Sequence, residues 1–215
     1  MKYKAVIFDL DGTLLDTLAD IRSSLNHSLR RFGLREQTPE EVRAHVGNGS
    51  GRLVELSIPD GHENPVYDAL LADYGAWYEA HCRVETRPYP GVVGLMRRLG
   101  EAGAFCAVVS NKPDAAVKTL CAEFFAGLAA DAVGERPGIR RKPAPDTVLA
   151  ALEELGTDRS DAVYVGDSEV DIMTARSAGI PCISVTWGFR TYRQLAEAGG
   201  EAFAADADEL MALLQ

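Results

Sequence analysis

Five short apolar runs, separated by segments of helical period, constrain this fold more than any other feature of the sequence. They fall at residues 5–8, 104–109, 129–133, 162–165 and 182–186. The runs at 5–8, 104–109 and 162–165 are continuous, the pattern of a strand covered on both faces; 129–133, broken by Asp131, and 182–186, broken by Ser184, are weaker. The spacing predicts helices over 92–99, 113–125, 145–155 and 207–214, and another that ends near Ser177. Strands that alternate with helices in this way form a parallel sheet with helices on both faces and right-handed crossovers. The expectation is an α/β, Rossmann-like, doubly wound core of five parallel strands.

Residues 16–88 have a different character: they read as helices only. Thr17-x-x-Asp20 looks like a capping box before a helix with Leu18, Ile21, Leu25 and Leu29 on one face. Gly33 stops it. Thr38-Pro39-Glu40-Glu41 starts a second helix, with Pro at the first helical position. Val46-Gly47-Asn48-Gly49-Ser50-Gly51 interrupts the pattern, and a short helix follows through Leu56. Tyr67, Leu70, Leu71, Tyr74, Trp77, Tyr78 and His81 mark one face of a long helix. These aromatics fall at core spacing and read as packing residues. His27, His45, His62 and His81 read as structural or solvated, since none has a carboxylate or Cys at a metal spacing. The expected division is an α/β core domain from 1–15 and 89–215, and an α-helical cap domain from 16–88.

The strand ends carry the chemistry. The first run stops at Asp9 and Asp11, then Gly12, residues that a strand interior disfavours. The second empties into Ser110-Asn111-Lys112. The segment after the third carries Arg140-Arg141-Lys142-Pro143, and the fourth ends at Gly166-Asp167-Ser168, with Asp171 beyond. Open α/β sheets bind their ligands at the carboxyl edge. Carboxylates gathered there suit nucleophilic or acid–base work, or a hard cation. A hydroxyl, an amide and an ammonium suit phosphate oxygens. Ser168-x-x-Asp171 also reads as a helix capping box.

The formal net charge of −10 argues against nucleic acid or an anionic membrane as partner. It also means that an anionic substrate needs local positive charge from Lys or a metal. No apolar run approaches the ~20 residues of a membrane span. Met1-Lys2-Tyr3-Lys4 leads into the first strand without a signal-peptide pattern, so the expectation is a cytoplasmic protein. Cys82, Cys106, Cys121 and Cys182 are scattered, as expected of reduced thiols.

Phe8-Asp9-Leu10-Asp11-Gly12-Thr13-Leu14 resembles the first motif of the haloacid dehalogenase superfamily, most of whose members are phosphatases. Ser110, Lys142 in Lys-Pro-x-Pro-Asp, and Gly166-Asp167-Ser168-x-x-Asp171 resemble the other three motifs, in order. The resemblance spans essentially the whole chain. It implies Asp9 as nucleophile and Asp11 as general acid/base. It also implies Mg²⁺ held by the Asp9 and Asp167 side chains and the Asp11 backbone carbonyl. Ser110, Asn111, Gly12 and Lys142 would contact phosphate, and Asp171 would either ligate the metal or brace a ligand. The cap stretch Val46-Gly47-Asn48-Gly49 and the re-entry Tyr89-Pro90-Gly91 resemble those of phosphoglycolate phosphatases. That implies a small phosphorylated metabolite such as 2-phosphoglycolate as the binding partner. Pyrophosphatase, phosphosugar mutase and a non-enzymatic phosphate-sensing module remain as alternatives. A dehalogenase needs no acid/base two residues past its nucleophile, so Asp11 argues against that activity.

Overall fold

The computed structural model describes all residues, 1–215. The chain forms two compact units, Met1–Asp16 with Pro88–Gln215, and Thr17–Arg87. No helix is long and apolar enough to cross a membrane.

The first unit opens with strand β1 (Ala5–Phe8), followed by the two-residue β2 (Leu15–Asp16). The second unit holds α1 (Leu18–Arg31), α2 (Pro39–His45), α3 (Gly49–Ser57) and α4 (Tyr67–His81). After β3 (Arg87–Pro88) come α5 (Val92–Glu101), β4 (Phe105–Pro113), α6 (Asp114–Phe124) and β5 (Asp131–Glu135). Then follow α7 (Asp146–Glu154), β6 (Ala162–Gly166), α8 (Glu169–Ala178) and β7 (Cys182–Val185). The chain ends with α9 (Tyr192–Glu197), β8 (Ala202–Ala204) and α10 (Ala207–Leu214). β2 and β3 form a small sheet of their own.

The main sheet is parallel, in the order β5-β4-β1-β6-β7-β8. β1 lies at its centre, with Ile7 in register with Ala107 on one side and Tyr164 on the other. The chain builds outward to β5, then returns to β6 and builds the other way. That reversal puts a topological switch point beside β1, where the crevice at the carboxyl ends of the strands receives ligands. Ile7, Val109, Tyr164, Val148 and Ala151 are buried in the core cluster on one side of the sheet.

The sheet has six strands, not five. The sixth, β8, pairs in register with β7 through Ala202, Phe203 and Ala204. Its apolar stretch is short and carries one bulky side chain in three residues, so its pairing comes from tertiary context. α9 also went unmarked, although Thr191-x-x-Gln194 closes a capping box at its start. β4 runs on through Ser110-Asn111-Lys112 to Pro113. Its register with β5 shifts between Val109 and Pro113, so the polar tripeptide sits in an irregular stretch of strand.

In the helical unit Leu25, Leu29, Leu70, Tyr74 and Tyr78 are buried. Trp77 is not a core residue. It lies at the surface, its ring stacked between His27 at 3.5 Å and His81 at 4.0 Å. Thr38 and Glu41 form the expected capping box. Thr17 makes no side-chain cap. Buried Asp20 instead accepts the backbone N–H groups of Glu85 at 3.0 Å and Thr86 at 2.9 Å, tying the end of this unit to its beginning. A helix-start acid was thus recruited by amides 65 residues away.

All four cysteines are free thiols. Burial pushes Cys106, Cys121 and Cys182 up to about 12, which leaves them unreactive.

Candidate active site

Asp9 follows β1 directly. Its N–H still donates to Val165 O at 2.9 Å, so the nascent turn keeps the sheet's hydrogen bonding for one more residue. The chain then folds on itself: Leu14 N and Leu15 N both donate to Leu10 O, and Gly12 N donates to Leu15 O. Gly12 is required twice over. Its φ of +86° lies in the left-handed region, and a Cβ there would stand 2.3 Å from Asp167 Oδ2. Asp11, on the same turn, has its Oδ1 3.1 Å from Lys112 Nζ, and both side chains are largely shielded from solvent.

Ser110 and Asn111 come from the irregular end of β4. Ser110 Oγ accepts the N–H of Lys112 at 3.2 Å. The Asn111 amide grips the backbone of Lys142 from both ends. Nδ2 donates to Lys142 O at 3.0 Å, and Lys142 N donates to Oδ1 at 2.7 Å. Asn111 therefore braces a second loop with its side chain, a role its sequence position did not suggest.

Lys142 is buried, and its ammonium donates to three oxygens. These are Asp9 Oδ1 at 2.7 Å, Asp171 Oδ1 at 2.8 Å and Tyr164 Oη at 3.0 Å. Tyr164 Oη in turn donates to Asp171 Oδ1 at 2.9 Å. The other Asp171 oxygen accepts from Ser168 N at 3.0 Å and Ser168 Oγ at 2.6 Å, closing the capping box of α8. Gly166 makes room for this carboxylate, since a Cβ there would fall 2.3 Å from Asp171 Cγ.

Asp167, at the end of β6, is 1% exposed. Its Oδ2 accepts the N–H of Phe189 at 2.6 Å and its Oδ1 accepts the Thr13 hydroxyl at 3.2 Å. The loop after β7 supplies the first of these bonds. Gly188 lets that loop pass, because a Cβ would stand 2.4 Å from Asp167 Oδ2. Trp187 Nε1 fastens it to Thr13 O at 3.0 Å, and buried Arg190 pairs with Glu169.

Charge is unevenly balanced among these groups. Burial pushes the Asp9 carboxyl well above the usual range; Lys142 opposes that, while Asp171, Asp167 and Asp11 add to it. Burial, then Asp171, pushes Asp167 up to about 7. Asp171 goes the other way. Burial alone would raise it, but Lys142, Ser168 and Tyr164 hold it below its ordinary value. Lys142 is raised despite burial, by Asp171 and Asp9. Lys142 is thus shared between Asp9 and Asp171, and Asp171 is also held by Ser168 and Tyr164, while burial disfavours the ionised forms of Asp9 and Asp167. One carboxylate oxygen from each of Asp9, Asp167 and Asp171 lies within 4.8 Å of the others. An all-oxygen, anionic set of this kind fits a hard divalent cation.

Asp9, Asp11, Gly12, Asn111, Lys142, Asp167 and Asp171 are linked at this one edge, whereas Arg140 and Arg141 pair with Asp146 and Glu135 instead. Tyr164 joins them without having been marked in the sequence, and Thr13 and Lys112, already part of the strand-end motifs, contact Asp167 and Asp11. A lone hydroxyl in the aliphatic run Ala162-Val163-Tyr164-Val165 was the one signal for Tyr164. The Phe189 amide lies in Trp187-Gly188-Phe189-Arg190, a stretch after the fifth run that resembles a loop of phosphatases of this type.

A doubly wound sheet with buried carboxylates and a lysine at its switch point defines a Rossmann-like α/β enzyme. More narrowly, the chain belongs to the haloacid dehalogenase-like hydrolase family, whose profile matches residues 6–185. A phosphoglycolate phosphatase of Agrobacterium fabrum is 36% identical over 195 residues, which span 85% of this chain and 80% of that protein. One from Rhodobacter capsulatus is 36% identical over 192 residues, spanning 86% and 85%. A crystal structure from Lactobacillus delbrueckii subsp. bulgaricus, inferred to be a phosphoglycolate phosphatase, superposes with a TM-score of 0.95. It is 38% identical, and the match covers 100% of this chain and 99% of that one.

Proposed function

We propose that this hydrolase is a phosphoric monoester phosphatase, with 2-phosphoglycolate or a metabolite of similar size as substrate. Asp9 is the nucleophile and Asp11 the general acid/base. In this reading Met1–Asp16 with Pro88–Gln215 is the catalytic domain. Thr17–Arg87 is the cap, with Gly47, Asn48, Gly49 and the exposed Arg52, paired with Glu55 at 2.8 Å, as candidates for substrate selection.

The observation that carries the reading is the Lys142 bond to Asp9 Oδ1. It fixes one oxygen of a carboxylate that burial has stripped of water, and leaves Oδ2 as the oxygen that Lys142 does not take. An Asp9 oxygen attacks phosphorus and the ester P–O bond breaks. The departing alkoxide takes a proton from Asp11. Water then attacks the phosphorus of phospho-Asp9, gives its proton to Asp11, and the acyl P–O bond breaks. Lys142 and the backbone amides around Ser110 and Asn111 stabilise the charge on the transferring group. The N-terminus of α6 adds further amide donors.

Mg²⁺ would be held by the Asp9 and Asp167 side chains and the Asp11 carbonyl. It would screen these anions from the substrate and polarise the phosphoryl oxygens. Asp171, with both oxygens engaged by Lys142, Tyr164 and Ser168, acts as the anchor of Lys142. The small-metabolite partner and the cytoplasmic setting follow from the same reading.

The test is a Mg²⁺-supplemented panel of 2-phosphoglycolate, pyrophosphate, β-glucose 1-phosphate and an aryl phosphate, ranked by kcat/KM. The expected result is 2-phosphoglycolate ahead by roughly a hundredfold, about 2.7 kcal/mol of transition-state discrimination. Turnover of pyrophosphate or of the sugar phosphate at the head of the ranking would replace the substrate and keep the chemistry. No turnover of any ester would overturn the reading.

A further inference from the structure

We propose that Tyr164 is a positioning residue: its buried hydroxyl locks the Lys142 ammonium so that one N–H stays aimed at Asp9. The inference rests on the catalytic reading of Asp9 and Lys142 above.

Tyr164 lies in the middle of β6, fully buried, in register with Ile7 of β1 and two residues short of the sheet edge. Its strand neighbours Val163 and Val165 are aliphatic. Packing there asks for nothing that Phe would not supply. A hydroxyl in such a place needs partners, because an unpaired buried polar group costs about 1–3 kcal/mol. It has two, and both belong to the site. It accepts from Lys142 Nζ at 3.0 Å and donates to Asp171 Oδ1 at 2.9 Å.

An ammonium has three N–H donors and turns easily about its Cε–Nζ bond. Here Asp9, Asp171 and Tyr164 each take one donor, so rotation breaks three bonds at once. With the hydroxyl removed, one N–H is left without its acceptor. Asp171 Oδ1 loses a donor too, and Asp171 then draws Lys142 more strongly at the expense of Asp9. The Asp9 carboxylate is then held less firmly through Oδ1, and its free oxygen is less well aimed at phosphorus. Tyr164 touches neither substrate nor phosphorus in this scheme, and it acts through Lys142.

The test is Tyr164→Phe, read in two ways. Kinetics with the best substrate of the panel should show kcat lower by roughly tenfold with KM changed less than about twofold, the mark of an interaction that matters in the transition state. Metal-free protein labelled with ¹⁵N-lysine gives an independent readout, with Lys142→Arg identifying the Lys142 ammonium signal. In the wild-type protein that signal should be slow to exchange and restricted in rotation. In Tyr164→Phe it should broaden away or rotate freely.

An unchanged kcat with an unchanged ammonium signal would overturn the proposal. So would a freely rotating Lys142 ammonium in the wild-type protein, a measurement that decides the matter even if the variant fails to fold. A wild-type protein that hydrolyses no ester, yet loses its restricted ammonium in Tyr164→Phe, would sink the proposed function and leave the positioning role standing.

Discussion

At the scale of single residues the site is built from groups that have little freedom to differ. Asp9→Asn keeps the shape and the Lys142 contact but removes the charge and most of the nucleophilicity. Turnover should fall by at least a thousandfold with the melting curve little changed, and no acid-quenched phospho-protein should form from labelled substrate. Turnover near the wild-type rate would exclude the covalent route. Gly12→Ala tests a steric claim. The new methyl group meets Asp167 Oδ2 at 2.3 Å on a backbone at φ +86°. A side chain in the left-handed region costs about 1–2 kcal/mol before any clash is counted. Urea unfolding should therefore show at least that loss, and a Mg²⁺ titration should show weaker binding as the Asp167 carboxylate is pushed aside. Asp9, Ser110 and Asp167 were legible because each closes an apolar run, whereas Lys142 and Asp171 were legible through the resemblance to the family's motifs. Asp20 shows the limit of such reading. Its spacing from Thr17 spells a cap, yet the structure spends it on the Glu85 and Thr86 amides, contacts that no local pattern encodes.

At the scale of elements, loops that are far apart in sequence are held by side chains that imitate backbone. Asn111 does this for the Lys142 loop, with one donated and one accepted bond across 31 residues. The buried Asn26 amide does the same for Gln37 in the helical unit. Asn111→Ala should cost about 1–3 kcal/mol in stability, the range for stranding buried partners. It should also lower kcat, because Lys142 loses the brace of its own backbone. Thermal unfolding and steady-state kinetics measure the two effects, and a stability loss with kcat untouched would show that Lys142 is placed by its ammonium contacts alone. Strands with continuous apolar runs were readable in the sequence, as was every long helix, because burial on both faces leaves a compositional mark. β8 and α9 were not, being three and six residues long and ordered by the elements they join. The extension of β4 through Ser110-Asn111-Lys112 was equally hidden, since its polar residues read as the end of a strand.

At the scale of the molecule, an acidic chain concentrates four aspartates at the switch point of its sheet and neutralises them only in part. That imbalance couples stability to pH and to cations. The Asp167 carboxyl titrates at about 7 in the fold against 3.8 ordinarily, and Asp9 is raised as well. The unfolded chain therefore releases these protons first. Stability from this source is fully present below pH 3.8, declines as pH rises, and for Asp167 is gone above about 7. A divalent cation reverses the sign of the problem, because it binds the ionised carboxylates and binds the folded state. At a hundredfold excess over Kd it stabilises by about 2.7 kcal/mol, roughly 5–10 °C in Tm for a chain of this size. The gain should be large at pH 8 and small at pH 5, where protons compete for the same oxygens. Melting curves with Mg²⁺ or with EDTA at the two pH values make the measurement. An equal shift at both would mean that the cation binds elsewhere on an acidic surface. A shift confined to pH 8 and abolished in Asp167→Asn would place the cation between Asp9 and Asp167, where the charge is left unbalanced.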